Sequence, residues 1–192
     1  MTQAHALIIG GTGMLRRASV AIARESARFT AVARTRESLD ALARDIGPVN
    51  ERQHSYIDLD WDDQDKFLTV LSSHLARHRP PSLVVAWLHN ASFGPRVANA
   101  LAEHDSTCMF YQILGSAGRG PTSEATALKN QIERRSGLAY YQVILGFSRE
   151  GSLSRWLTND EISDGVLDAI SARLPSYVIG TVTPWNERPD AA

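Results

Sequence analysis

Short apolar segments alternate with amphipathic segments along the whole chain, and this alternation constrains the fold more than any other feature. Residues 6–9 and 82–88 are nearly continuously apolar, which is typical of strands buried on both faces of a sheet. Between such runs, apolar residues recur at helical spacing, as at Phe67, Leu71 and Leu75. The predicted strands are 6–9, 29–33, 55–61, 82–88, 108–114, 138–145 and 177–182, and the predicted helices are 14–27, 36–46, 62–78, 95–104, 123–135 and 160–174. Because parallel strands need helical crossovers, residues 1–192 are predicted to form one α/β domain, a doubly wound parallel sheet of about seven strands with helices on both faces.

Composition excludes several classes of protein. The 192 residues are 43% hydrophobic and 21% charged, as in a globular domain, and a formal net charge of −1 lacks the basic excess of a nucleic-acid-binding protein. Cys108 is the one cysteine, so an intrachain disulfide and a cysteine-based zinc finger are excluded, and we expect no metal and a reducing, cytoplasmic location. No apolar run approaches the roughly 20 residues that span a bilayer, so no membrane segment is expected.

A glycine-rich turn follows the first predicted strand. It reads Gly10-Gly11-Thr12-Gly13-Met14-Leu15 and precedes a helix, so backbone N–H groups and the positive end of the helix dipole can face a phosphate. The turn resembles the GGTG start of the short-chain dehydrogenase/reductase superfamily, especially its extended and atypical branches. The resemblance implies a Rossmann fold and a dinucleotide site. The predicted contacts in this turn are Gly10, Thr12, Gly13, Met14 and Leu15.

Arg16 and Arg17 depart from the pattern, since a third glycine would fall at residue 16. Two cations in the first turn of a helix oppose its dipole. Either they point into solvent, or a bound anion neutralises them.

The end of the second predicted strand indicates which nucleotide binds. NAD sites usually have an acidic residue there, which binds the ribose 2′-hydroxyl. Here the strand is followed by Arg34-Thr35-Arg36, and Glu37 comes only after both arginines. Arginines pair with a 2′-phosphate, so these three residues predict NADP(H) rather than NAD(H). The alternative is a solvated arginine pair at a helix start.

The resemblance assigns further cofactor contacts to the ends of later strands. It implies that Asp60 and Trp61 hold the adenine, that the turn containing Leu88 and His89 passes the nicotinamide ribose, and that Gly146 and Phe147 replace a Pro-Gly turn beside the nicotinamide. Asp62 and Asp63 are predicted to cap the next helix, and Thr158 with Glu161 has the spacing of a capping box. Residues 147–156 could form a small substrate lid.

The catalytic residues of the superfamily are incompletely represented. Ser116 matches the serine that, in many of its reductases, binds the reacting carbonyl. The Tyr-x-x-x-Lys motif is absent, because no lysine stands four residues after any tyrosine. Lys129 lies near the place where that tyrosine would fall, and it could bind the ribose, supply a proton or be a surface lysine. His89 could donate a proton near neutral pH or be a structural histidine. The helix histidines His74, His78 and His104 are interpreted as solvated.

These observations favour an NADPH-dependent reductase of a small carbonyl or imine. The missing Tyr-x-x-x-Lys motif supports an alternative, a non-catalytic NADP(H)-binding redox sensor resembling NmrA-type proteins, and a sugar epimerase is disfavoured for the same reason. The expected partners are a small-molecule substrate and a second copy of the chain. A homodimer or homotetramer is expected through apolar positions on two helices, Val97 and Leu101 on one and Leu128 and Ile132 on the other.

Overall fold

A computed structural model describes residues 4–48, 53–105, 107–115, 121–151 and 153–189. The strands are β1 (Ala6–Ile9), β2 (Phe29–Ala33), β3 (His54–Asp58), β4 (Leu83–Trp87), β5 (Met109–Leu114), β6 (Ala139–Leu145), β7 (Phe147–Glu150), β8 (Leu153–Trp156) and β9 (Ser176–Ile179). The helices are α1 (Arg16–Arg24), α2 (Arg36–Ile46), α3 (Gln64–Arg77), α4 (Gly94–Ala102), α5 (Pro121–Ser136) and α6 (Asn159–Ala172).

Seven strands form one sheet in the order β3-β2-β1-β4-β5-β6-β9, and all of their pairings are parallel. The predicted doubly wound α/β fold is therefore confirmed. The chain runs outward from β1 to β3 and then returns to place β4 on the other side of β1. This reversal is the place where sheets of this kind bind ligands, at the carboxyl ends of the strands.

Alternate residues of β1 face opposite helix layers. Ile8 packs with Leu39 of α2 and Val166 of α6, whereas Leu7 belongs to a second core with Phe67 of α3. All of these side chains are fully buried. Burial on both faces explains why the central strands are apolar at consecutive positions.

Two interpretations made from the sequence need correction at the level of packing. Val97, Leu101 and Ile132 are buried in the chain's own core, so these positions do not offer apolar surface to a second copy. His74 was interpreted as solvated, but it is 6% exposed and lies in a hydrogen-bonded network, because its face of α3 covers the sheet.

The segment predicted as a lid is a two-stranded antiparallel hairpin, β7 and β8, inserted between β6 and α6. The guanidinium of Arg155 on β8 donates two hydrogen bonds of 2.8 Å to the carboxylate of Glu161 on α6. Glu161 also accepts from the backbone N–H of Thr158, whose hydroxyl accepts from the N–H of Glu161, so the predicted capping box is confirmed. The hairpin is thus attached to the start of α6. Within the described residues, no helix is long and apolar enough to cross a membrane.

Candidate functional site

A cleft of about 250 Å³ opens at the carboxyl ends of β1, β2 and β4. It contains residues from the turns that follow β1, β2, β3 and β4, so it lies at the reversal of strand order. Its lining residues are Gly10, Thr12, Gly13, Met14, Arg34, Thr35, Ser38, Trp61, Trp87 and His89. The fold therefore brings together most of the residues that the sequence predicts to bind the dinucleotide.

The glycine turn has backbone positions that a side chain would disturb. Gly10 has φ +76°, and a Cβ added there would lie 2.5 Å from the carbonyl oxygen of Trp87. A Cβ on Gly11 would overlap the Ser19 hydroxyl. At Gly13, in contrast, an added Cβ would meet no atom within 4 Å. The turn thus packs tightly against the sheet on one side and leaves its backbone accessible at Gly13, as a phosphate-binding turn requires.

Two buried serines hold the carbonyl groups of this turn. The Ser19 hydroxyl, on α1, donates to the carbonyl oxygen of Gly11 at 2.9 Å, and the Ser163 hydroxyl, on α6, donates to that of Met14 at 2.9 Å. Both serines are fully buried. These two hydrogen bonds restrain the conformation of the turn.

Arg16 and Arg17 pair with carboxylates of the chain itself. The Arg16 guanidinium donates to Asp45 of α2 at 2.6 Å, and Arg17 lies 3.2 Å from Asp164 of α6. The hydrogen bond from Arg16 holds the pKa of the Asp45 carboxyl below its usual value. The two cations remain partly exposed, as the first interpretation expects, and neighbouring helices also supply them with opposite charges, which neither interpretation included.

Arg34 and Arg36 have different surroundings. The guanidinium carbon of Arg34 lies 5.1 Å from the ring centroid of Trp61, inside the cleft. Arg36 does not line the cleft; it pairs with Asp40 at 3.1 Å and donates to the carbonyl oxygen of Tyr56 at 3.3 Å. Thr35 caps α2 by accepting from the backbone N–H of Ser38. Of the two arginines, Arg34 is the one placed to meet a ligand.

Several other predicted contacts lie outside the cleft. Asp60 is exposed, and its carboxylate accepts from the backbone N–H of Asp62, while Asp63 caps α3. The side chains of Leu15 and Leu88 are buried in the core.

Gly146 and Phe147 also lie away from the cleft. The N–H of Gly146 donates to Ile179, and Phe147 exchanges two backbone hydrogen bonds with Thr181, each 2.9 Å long. Phe147 lines a separate groove beside α6 and β9.

The candidate proton donors are not brought together. His89 is exposed and lines the cleft, with its ring 5.7 Å from that of Trp61 and 5.8 Å from that of Trp87. Lys129 does not line this cleft, and its ammonium group lies 3.7 Å from Glu133 on the same helix. Ser116 lies outside the described residues.

Sequence reasoning missed Ser38, Trp87 and Ser163. The N-cap spacing of Thr35 and Ser38 was available as a signal for the first, and the position of Trp87 at the end of a predicted strand, two residues before His89, was available for the second. Ser163 gave no local signal, since it is 149 residues from its partner Met14. Among the described residues, no group of His, Cys, Asp or Glu is arranged to hold a metal ion.

Solved structures share this fold. The chain is similar to the bulky-bulky ketone specific alcohol dehydrogenase from Comamonas testosteroni, with a TM-score of 0.68, 16% identity and coverage of 97% of this chain and 91% of that one. It is also similar to a short-chain dehydrogenase from Sphingobium yanoikuyae in complex with NADPH, with a TM-score of 0.64, 15% identity and coverage of 95% and 91%. A betaketoacyl-[ACP] reductase from Bacteroides thetaiotaomicron has a TM-score of 0.64 at 12% identity, with coverage of 91% and 96%. No protein-family model matches the chain, and no curated protein matches it.

Proposed function

We propose that this protein is an NADPH-dependent oxidoreductase that reduces a small carbonyl or imine compound. The observation that carries the proposal is the cleft, in which an accessible glycine turn and the guanidinium of Arg34 lie at the reversal of strand order. The short-chain dehydrogenase fold supports it, as does the NADPH bound by one of the similar structures.

The residues of the cleft fit the parts of NADP(H). The backbone from Gly10 to Met14 would hold the pyrophosphate, because the turn is prearranged and open at Gly13. Arg34 would bind the 2′-phosphate, and the indole of Trp61 would cover the adenine.

When bound, NADPH would supply the hydride. The chain would hold the substrate and supply a proton, and among the described candidates His89 lines the cleft whereas Lys129 does not. We propose His89 as the proton donor and Ser116 as the residue that orients the substrate. Loss of the superfamily tyrosine is best tolerated by an imine, whose nitrogen can be protonated from water before reduction.

Two measurements on the full chain test the proposal. Titration calorimetry should show tighter binding of NADPH than of NADH, and NADPH oxidation should accelerate with at least one member of a panel of ketones, aldehydes and imines. Equal affinities for NADPH and NADP⁺ without turnover would instead indicate a plain, non-catalytic nucleotide binder. The absence of binding of either nucleotide would overturn the proposal.

A further inference from the structure

The guanidinium of Arg34 rests on the indole of Trp61, and the two side chains come from different turns of the sheet. The distance from the guanidinium carbon to the ring centroid is 5.1 Å. Arg34 follows β2 and Trp61 follows β3, and both line the cleft together with Gly10. The position of the Arg34 charge in the cleft therefore depends on a residue from the neighbouring turn.

Trp61 provides a fixed surface for this contact. Its side chain is 7% exposed and packs in the core with Phe67 and Leu71 of α3. Its ring also lies 5.7 Å from that of His89, with 30° between the ring planes. Contacts on these sides prevent the indole from rotating freely when the cleft is solvated.

Stacking leaves the hydrogen-bonding capacity of an arginine available. The guanidinium carbon lies over the ring, and a cation–π contact uses none of the N–H donors of the arginine, so they can still bind a phosphate dianion. No carboxylate among the described residues pairs with Arg34, in contrast to Arg36 and its partner Asp40. An aromatic partner thus orients the charge without neutralising it.

We propose that Trp61 is the positioning residue through which Arg34 distinguishes a nucleotide with a 2′-phosphate from one with a 2′-hydroxyl. The inference rests on the proposed function and adds to it a residue that determines specificity without touching the phosphate. Trp61 would then have two roles. Covering the adenine would strengthen the binding of both nucleotides, whereas orienting Arg34 would strengthen only the binding of the nucleotide with a 2′-phosphate.

The test uses the full chain and two probes that lack the nicotinamide, adenosine 2′,5′-bisphosphate and adenosine 5′-monophosphate. Calorimetry gives the ratio of their affinities, in which any shared contribution from adenine cancels. The change Trp61→Leu should lower this ratio about two- to fivefold, the range of a partly exposed cation–π contact. Trp61→Phe should retain more of the ratio, because it keeps an aromatic face. Trp185→Leu is the matched control: Trp185 makes the same kind of contact, 5.1 Å from the guanidinium carbon of Arg188, outside the cleft, and its substitution should leave the ratio unchanged.

A double-mutant cycle identifies the route of the effect. In an Arg34→Gln background, Trp61→Leu should no longer change the ratio. The proposal is overturned if Trp61→Leu weakens both probes equally, or if it still lowers the ratio when Arg34 is absent.

If Trp61→Leu does not fold, Trp61→Phe is compared in the wild-type and Arg34→Gln backgrounds, because phenylalanine fills the core but offers a weaker cation–π face than tryptophan. A ratio that falls when Arg34 is present and is unchanged when it is absent supports the proposal, and a wild-type ratio in Trp61→Phe overturns it. A wild-type chain that binds neither probe overturns the proposed function, and with it this inference.

Discussion

Arg16 and Arg17 show how neighbouring elements compensate for a locally unfavourable residue. Each opposes the dipole of α1 at a cost of about 0.3–1 kcal/mol. Asp45 from α2 and Asp164 from α6 supply opposite charges at 2.6 and 3.2 Å. These pairs attach α1 to the helices beside it, so the arginines serve the packing of one helix layer.

The charge of Arg34 is expected to determine nucleotide preference. Arg34→Glu should lower the affinity for NADPH by about 10- to 100-fold, since it removes a charge-assisted hydrogen bond of about 1.5–3 kcal/mol and adds repulsion. The affinity for NADH should fall little or rise, so the preference should reverse. Calorimetry with both nucleotides measures this.

Arg36→Glu provides the matched control, because it makes the same charge change two residues along the chain, outside the cleft. Its effect on the NADPH/NADH ratio should be several-fold smaller. An unchanged ratio in Arg34→Glu, or equal effects of the two substitutions, would contradict the assignment of the 2′-phosphate to Arg34.

Side chains from two helices, α1 and α6, bind the turn between β1 and α1 and so shape the site. This turn receives a hydroxyl from α1 and another from α6, a helix that follows it by more than 140 residues in the chain. The glycine pattern predicts that a phosphate-binding turn is present, but it does not show what holds the turn in shape. That information depends on how α6 packs against α1, which no local pattern contains.

Ser163→Ala tests this contribution of α6. It leaves the Met14 carbonyl without its buried donor, which should cost about 1–3 kcal/mol of unfolding free energy and weaken nucleotide binding several-fold through a looser turn. Urea unfolding and calorimetry measure the two effects. Ser171→Ala is the control on the same helix, since that exposed hydroxyl donates within α6 to Leu167 and its loss should change neither quantity much. Equal effects of the two variants would show that Ser163 does not hold the turn.

A second set of polar contacts joins β5 and β6 to α5 and to the turn after β4. The Tyr140 hydroxyl donates to the Gln112 carbonyl oxygen at 2.9 Å and accepts from Gln142 at 3.2 Å. Gln112 in turn donates to Ala91, in the turn after β4, and Gln142 donates to Ala125 of α5. All three polar side chains are buried, so the loss of any hydrogen-bond partner should lower the free energy of unfolding.

Tyr140→Phe should therefore destabilise the fold by about 1–3 kcal/mol, because it removes one hydroxyl and leaves two buried amides short of a partner. Thermal unfolding measures the loss. Tyr141→Phe is a suitable control: its half-buried ring stacks on Tyr111 with the centroids 4.4 Å apart, and phenylalanine retains that stacking. A melting temperature that falls equally in both variants would argue against a special role for the Tyr140 hydroxyl.

At the scale of the whole molecule, the sequence was sufficient to predict the layers of sheet and helices but not the contacts between these layers. Continuous apolar strands and amphipathic helices were sufficient to predict a parallel doubly wound sheet. The glycine turn and the arginines after the second strand predicted Gly10 and Arg34 as cofactor contacts, whereas Trp61 came from the family resemblance. The hairpin of β7 and β8 was not predicted, because each strand has only four residues and neither Phe-Ser-Arg-Glu nor Leu-Ser-Arg-Trp alternates between apolar and polar residues. His74 was misinterpreted because helical spacing alone does not show which polar residue at the edge of the apolar face becomes buried.

Hydrogen bonds of the buried histidines His5 and His74 connect the residue before β1 with β2 and α3. The His5 Nδ1 lies 2.6 Å from the carbonyl oxygen of Arg79, and a carbonyl can only accept, so Nδ1 carries the proton in the neutral ring. The Nε2 of His5 then accepts from the Thr30 hydroxyl at 2.9 Å, and the Thr30 oxygen accepts from the Nε2 of His74 at 3.2 Å. In this arrangement His5 is neutral and each group has one role.

Stability should consequently fall in mild acid. Burial lowers the pKa of His74 from its usual value to about 4 and lowers that of His5, so the unfolded chain binds protons more readily. The stabilisation is complete above pH 6.5 and is lost as the pH falls toward 4, with a slope of about 1 kcal/mol per pH unit for one histidine between pH 6 and 5. Urea unfolding at pH 7, 6 and 5 should show a smaller pH dependence in His74→Gln than in the wild type, whereas His104→Gln should behave like the wild type. If His74→Gln has the wild-type dependence, protonation of His74 does not account for the loss of stability, and it must come from His5 and His54, whose pKa values burial also lowers.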